Sequence, residues 1–158
     1  MRGRLAQVSL LYPAMTRILV GLDGSERSAY VLAQAVKLAQ AQAAKLVLLR
    51  VVKVPHELSL EMRTTWMALE QAMFDDATQD LAKWAKMVPV ELLEGTVVEM
   101  GSPWDGICRK ATELGVGWIV IGSHGYGGLD RVLGTTAGKV VNHAECSVLV
   151  VRERRATS

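Results

Sequence analysis

At 158 residues, half of them hydrophobic and 22% charged, the chain is long enough for one domain with a sizeable core and too apolar to be disordered. A net charge of +2 without a dense Lys/Arg stripe excludes a dedicated nucleic-acid binder, and no apolar run reaches the length of a membrane span. The two cysteines, Cys108 and Cys146, match no zinc spacing and sit among apolar residues, which reads as two buried thiols in a reducing, cytoplasmic compartment.

Residues 1–15, MRGRLAQVSLLYPAM, carry a short apolar patch cut by Pro13, too short for a signal peptide. They are expected to form an N-terminal extension, with Met15 as a natural alternative start. The ordered pattern opens with the strand-like run RILVG, 17–21. Asp23 follows at a strand-to-turn position, where an Asx turn or helix cap and a ligand contact are both open. After Ser25 comes a helical stripe of Leu32, Ala35, Val36, Ala39 and Ala43, with Gln34 and Lys37 opposite. A second strand is LVLLRVV, 46–52. The longest helical pattern runs from about Leu60 to Val88, where Trp66, Leu69, Met73, Ala77, Leu81, Trp84 and Val88 recur at three- and four-residue steps and are expected in the core. A weaker strand lies within 90–100, with Gly95 marking a bend or bulge. The next helix has Ser102 as N-cap, Pro103 at its first position and Gly115 at its end. WIVIG (118–122), a helix from Gly134–Thr135 to about His143, and SVLVV (147–151) complete the pattern; 153–158 is a solvated tail.

The strand runs do not alternate with polar residues, which is the pattern of strands covered on both faces. Strands alternating with helices imply right-handed crossovers and a parallel sheet between two helical layers, an α/β three-layer sandwich. Ligands of such sheets bind beyond the carboxyl ends of the strands, where the strand order reverses. Two strands end in loops suited to this, ILVGLDGS and IVIGSHGYGG.

Six of the fourteen glycines fall between Gly122 and Gly138. The P-loop pattern fails, because GTTAGK is one residue short and is followed by Val140 in place of Ser or Thr. The dinucleotide pattern fails as well, because Gly125 and Gly127 have no third glycine three residues on. Glycines after a strand still let backbone N–H groups approach an anion, and the helix start at Gly134, Thr135 and Thr136 adds unpaired donors and two hydroxyls. Phosphate binding and a purely structural turn stay open on these grounds. His124 has no partner acid or nucleophile in its motif, and His56 and His143 share no metal-ligand spacing, so no catalytic residue is assigned. Arg131 reads equally as a phosphate neutraliser or a solvated loop residue.

The segments ILVGLDGSERS, LLRVV, GSPWDGI and GSHGYGGLDRVLGTTAGKVVNHAECSVLVVR together resemble the universal stress protein family, over Thr16 to Arg152. The resemblance implies an adenine-nucleotide α-hydrolase-like fold, a five-stranded parallel sheet in order 3-2-1-4-5, within a domain spanning 16–152. It also implies a homodimer joined through the last strand, Ser147 to Val151. ATP or another adenine nucleotide is the implied ligand, with Mg2+ or Mn2+ carried by the phosphates and not by protein side chains alone. Asp23 and Val51 map onto contacts to the adenosine end; Gly122, Ser123, His124, Gly125, Gly134, Thr135 and Thr136 map onto the ribose and phosphate wrap. Eight residues separate Gly125 from Gly134 where the family pattern has nine, which predicts a tighter loop and a smaller preference for triphosphate. Gly117 stands where the family commonly has Asp. The expected function is a nucleotide-binding regulatory module of a stress response, not an enzyme, with no nucleic-acid or membrane partner. The alternatives are a nucleotide-free interaction protein and a weak ATPase.

Overall fold

The computed structural model describes residues 17–54, 62–123 and 133–152. Along them run β1 (Arg17–Gly21), α1 (Ser28–Gln42), β2 (Lys45–Val52), α2 (Met62–Ala85), β3 (Leu93–Met100), α3 (Pro103–Leu114), β4 (Trp118–Gly122), α4 (Thr135–His143) and β5 (Ser147–Val151). The strands form one parallel sheet in the order β3-β2-β1-β4-β5, as expected.

Ile18, Leu19 and Val20 are consecutive and fully buried, as are Ile119 and Val120, which only a sheet covered on both faces allows. One face buries Ile18, Val20, Leu46, Leu48 and Val120 against α1 and α2. The other buries Leu19, Val47, Leu49, Ile119 and Ile121 against α3 and α4. Each fully buried Leu or Ile side chain contributes roughly 1.5–3 kcal/mol, so these two clusters hold the three layers together.

Three details depart from the expected pattern. Ala43 does not belong to the buried stripe of α1: it caps the helix in the left-handed region at φ 50, it is exposed, and Ala44 is buried in its place. Cys108, on α3, and Cys146, in the bend before β5, are half-buried and pack against the edge of the α3/α4-side cluster. The α2 stripe is core only in its C-terminal half. Ala77, Leu81 and Val88 are buried, but Trp66 and Met73 are half-buried and Leu69 is 49% exposed. The reason is length. The 24 residues of α2 extend about 36 Å, while the 8 residues of β2 extend about 26 Å, so the first turns of α2 pass beyond the sheet.

The bend expected at Gly95 is a bulge. Leu46 pairs with Leu93 and Val47 with Gly95, which leaves Glu94 as an extra residue on β3. Glu94 uses its place at the strand start to receive Nε of Arg17 at 2.7 Å. The punctuation of α3 is as expected in position, with Gly115 left-handed at φ 60, although Ser102 makes no side-chain cap bond.

Candidate functional site

The strand order reverses between β1 and β4, so the crevice expected of such sheets opens beyond Gly21 and Gly122. Gly21 is level with Leu49 of β2 and with Ile121 of β4. Two residues further on along these three chains stand Asp23, Val51 and Ser123. Three expected site residues, far apart in sequence, thus follow the carboxyl ends of neighbouring strands or lie within them, at one side of the sheet. The close packing there needs a small residue at Gly21. A Cβ on Gly21 would lie 2.9 Å from Cγ2 of Ile121, whereas one on Gly122 would make ordinary contact, at 3.4 Å, with Cγ2 of Val31.

Asp23 fills the turn role among those that its sequence position left open. Its Oδ1 accepts the Ser25 N–H at 2.9 Å, the Ser25 hydroxyl at 2.6 Å and the Ser28 hydroxyl at 3.2 Å. That is an Asx turn, and it delays the start of α1 to Ser28. All three donors converge on one oxygen. No described residue donates to Oδ2, and the side chain is exposed at the carboxyl end of the sheet. Among the described residues the carboxylate is therefore fixed through one oxygen alone.

Val51 is half-buried and leans on α3, where a Cβ on Gly106 would meet its two methyl groups at 2.9 and 3.1 Å. Gly106 is thus the residue that lets the second turn of α3 close over Val51. Glu99, level with Val51 on β3, fastens the same helix. It receives Nη2 of Arg109 at 2.6 Å and pairs with Nζ of Lys110 at 2.8 Å. Lys110 also bonds Glu113, and these contacts hold the Glu113 carboxyl below its ordinary value, the Lys110 bond being the larger cause. Sequence inspection did not single out this network. Its sequence signals were the spacing of Arg109 and Lys110 to Glu113 on one helix and a second glutamate, Glu99, near the end of β3.

Ser123 is buried, and its N–H donates to the Val151 carbonyl at 2.9 Å. Its own carbonyl accepts the Gly134 N–H, also at 2.9 Å. Gly134 therefore spends its backbone donor inside the protein, and its φ of −58 is open to any residue. The first bond within α4 runs from the Gly138 N–H to the Gly134 carbonyl, which leaves the N–H groups of Thr135, Thr136 and Ala137 as the helix's N-terminal donors. Thr135 is exposed and Thr136 half-buried. His124, Gly125 and Arg131 lie outside the described residues, as does His56. His143 is exposed as expected, and its ring lies 4.8 Å from that of Trp104. Among the described residues no three His, Cys, Asp or Glu side chains group to hold a metal ion, and no helix is long and apolar enough to cross a membrane.

This arrangement offers one carboxylate oxygen, one half-buried apolar surface and the positive end of a helix at one side of the sheet. The sequence profile of the universal stress protein family matches residues 15–152. The chain belongs to the universal stress protein family. Universal stress protein YxiE of Bacillus subtilis is 34% identical over 151 residues, covering 86% of this chain and 98% of that protein. Among solved structures, universal stress protein UspA from Lactobacillus plantarum superposes with a TM-score of 0.77 at 27% identity, over 87% of this chain and 98% of that one. The universal stress protein from Archaeoglobus fulgidus in complex with dAMP shares the fold, with a TM-score of 0.64 at 20% identity and coverage of 87% and 98%. The universal stress protein fold was thus legible in the sequence down to its strand order.

Proposed function

We propose that this universal stress protein is a cytoplasmic, homodimeric regulatory protein of a stress response that binds an adenine nucleotide, ATP foremost, at the carboxyl edge of its sheet. The carrying observation is Asp23, whose carboxylate is fixed through Oδ1 while Oδ2 has no donor among the described residues. A carboxylate is acceptor-only, so the free oxygen suits a hydroxyl donor such as those of a ribose. Val51, near the carboxyl end of the adjacent strand β2, supplies apolar surface for a base. The α4 N-terminus, with Thr135 and Thr136, supplies donors and a dipole for phosphates, and His124 and Gly125 are expected to complete the wrap. The dAMP complex of the Archaeoglobus fulgidus relative supports an adenine nucleotide as the class of ligand.

Among the described residues no three His, Cys, Asp or Glu side chains gather to hold a metal ion. Mg2+ or Mn2+ would enter with the phosphates. The protein would bind and report nucleotide, not turn it over. Pairing of β5 with its two-fold copy is proposed because Val148, Leu149 and Val150 are only half-buried on an edge strand.

One observation favours a different reading, a nucleotide-free interaction protein. Met67, Leu69 and Phe74 lie exposed on the part of α2 that passes beyond the sheet. Mass spectrometry of the small molecules released by acid denaturation decides between the two. Near-stoichiometric adenine nucleotide is expected; its absence, with no heat of binding on titration with ATP, ADP or AMP, would overturn the nucleotide reading.

A further inference from the structure

Arg50 interrupts the apolar run of β2, directly before Val51. Its strand neighbours Leu49 and Val51 face the α3/α4 layer. Arg50 faces the opposite side, where Nη1 donates to Oδ2 of Asp80 on α2 at 2.5 Å. Only 21% of the arginine side chain and 23% of the aspartate are exposed. The guanidinium ends against the turn that leaves β1. A Cβ on Gly24 would lie 1.8 Å from Nη1, 2.5 Å from Cζ and 2.8 Å from Nη2. The guanidinium therefore occupies the space that a side chain at position 24 would fill. Gly24 also has a φ of +78, so another residue there would be strained and would in addition displace the guanidinium.

We infer that Arg50 is a positioning residue for the Asp23 turn: anchored by Asp80, its guanidinium lies against the Gly24 backbone and fixes the direction in which Asp23 offers Oδ2. This inference rests on the nucleotide-binding reading of Asp23 and names the residue that presets it. Planarity is what the contact uses. A flat guanidinium can lie along a peptide backbone at close range and still spend a donor on Asp80, whereas a compact ammonium cannot do both. The pair also connects α2 to the β1–α1 turn across the layer. Asp80 lies in the half of α2 that is packed on the sheet, so the anchor itself is fixed.

The role is tested on the full chain without ligand. The amide exchange rate of Ser25, whose N–H donates to Asp23 Oδ1, is measured by NMR in the wild type, Arg50→Met, Asp80→Asn and Arg17→Met. Arg17 forms a more exposed ion pair with Glu94 at the amino end of the sheet and controls for loss of an ion pair remote from the turn. Arg50→Met should speed Ser25 exchange about tenfold, the loss of roughly one hydrogen bond's worth of protection, and Asp80→Asn should move it the same way. Arg17→Met should lower the melting temperature and leave Ser25 unchanged. Calorimetry with adenosine should show about tenfold weaker binding for Arg50→Met and none of this for Arg17→Met. Unchanged Ser25 exchange in Arg50→Met, or an equal change in Arg17→Met, overturns the inference. If the wild type binds no adenosine, the nucleotide reading fails while Ser25 exchange still decides the positioning role. If Arg50→Met does not fold, Asp80→Asn carries the same comparison.

Discussion

The Gly134 N–H donates to the Ser123 carbonyl at 2.9 Å, a single hydrogen bond between two residues that stand eleven apart in sequence. The start of α4 is thereby held close to the end of β4. Eight residues separate Gly125 from Gly134 where the family pattern has nine, and we propose that phosphates at Thr135 and Thr136 have correspondingly less room.

Inserting one residue after Leu133 should raise affinity for ATP and leave adenosine unaffected. Thr135→Ala removes one hydroxyl and keeps the backbone donor, so it should weaken ATP by about 1–2 kcal/mol and adenosine by close to nothing. Titration calorimetry with both ligands checks this. Equal losses for ATP and adenosine would displace the phosphates from α4.

Asp23 can be separated into its two roles by choice of substitution. Asp23→Asn keeps a carbonyl oxygen for Ser25 and Ser28 but removes the charge from the free side. It should retain most of the stability and still weaken ATP, ADP and adenosine by similar factors. Asp23→Ala also releases three donors, so it should in addition cost about 1–3 kcal/mol of stability by urea denaturation. If Asp23→Asn binds adenosine as well as the wild type does, the carboxylate serves the turn alone.

Leu149→Lys places a charge in the middle of the edge strand β5. Sedimentation should show monomer or insoluble protein. A soluble dimer with an unchanged dissociation constant would rule out pairing through β5.

Burial raises the Cys108 thiol above its ordinary value, with the Asp105 charge adding to it, and burial is also the main cause of the raised Cys146 thiol. Both hold their protons more tightly when folded. The resulting stability is present below the thiol range of the unfolded chain and is lost as pH rises through the folded values. Alkylation by iodoacetamide should therefore reach half its maximal rate at a higher pH in the native protein than in urea. Coincident profiles would show that the thiols are not shielded.

Why the strands could be read while parts of the site could not is a matter of range. Runs such as RILVG and WIVIG announce strands because burial on both faces leaves no choice of residue at any position. Asp23 was visible because an Asx turn is a local device, its partners only two and five residues away. Arg50 acts on Gly24 and Asp80, 26 and 30 residues away in sequence, and nothing in LLRVV hints at either partner. The upper half of α2 misled for the opposite reason. Periodicity at Trp66, Leu69 and Met73 records which face a helix turns inward but not where the sheet beneath it stops.

The extra residue Glu94 has a consequence for how this chain can change length. Beyond it, Val98 packs toward the α1/α2 layer and Glu99 faces its two cations, because Gly95 is already level with Val47. Removing Glu94 would join Leu93 to Gly95 and leave each later pair where it stands. Removing a residue further along, such as Val97, would turn Leu93 through Thr96 or Val98 through Met100 to the wrong side of the sheet, setting a carboxylate among leucines or a valine among charges. Within β3, position 94 is therefore the place where the gene could lose a codon and the protein keep its inside and its outside.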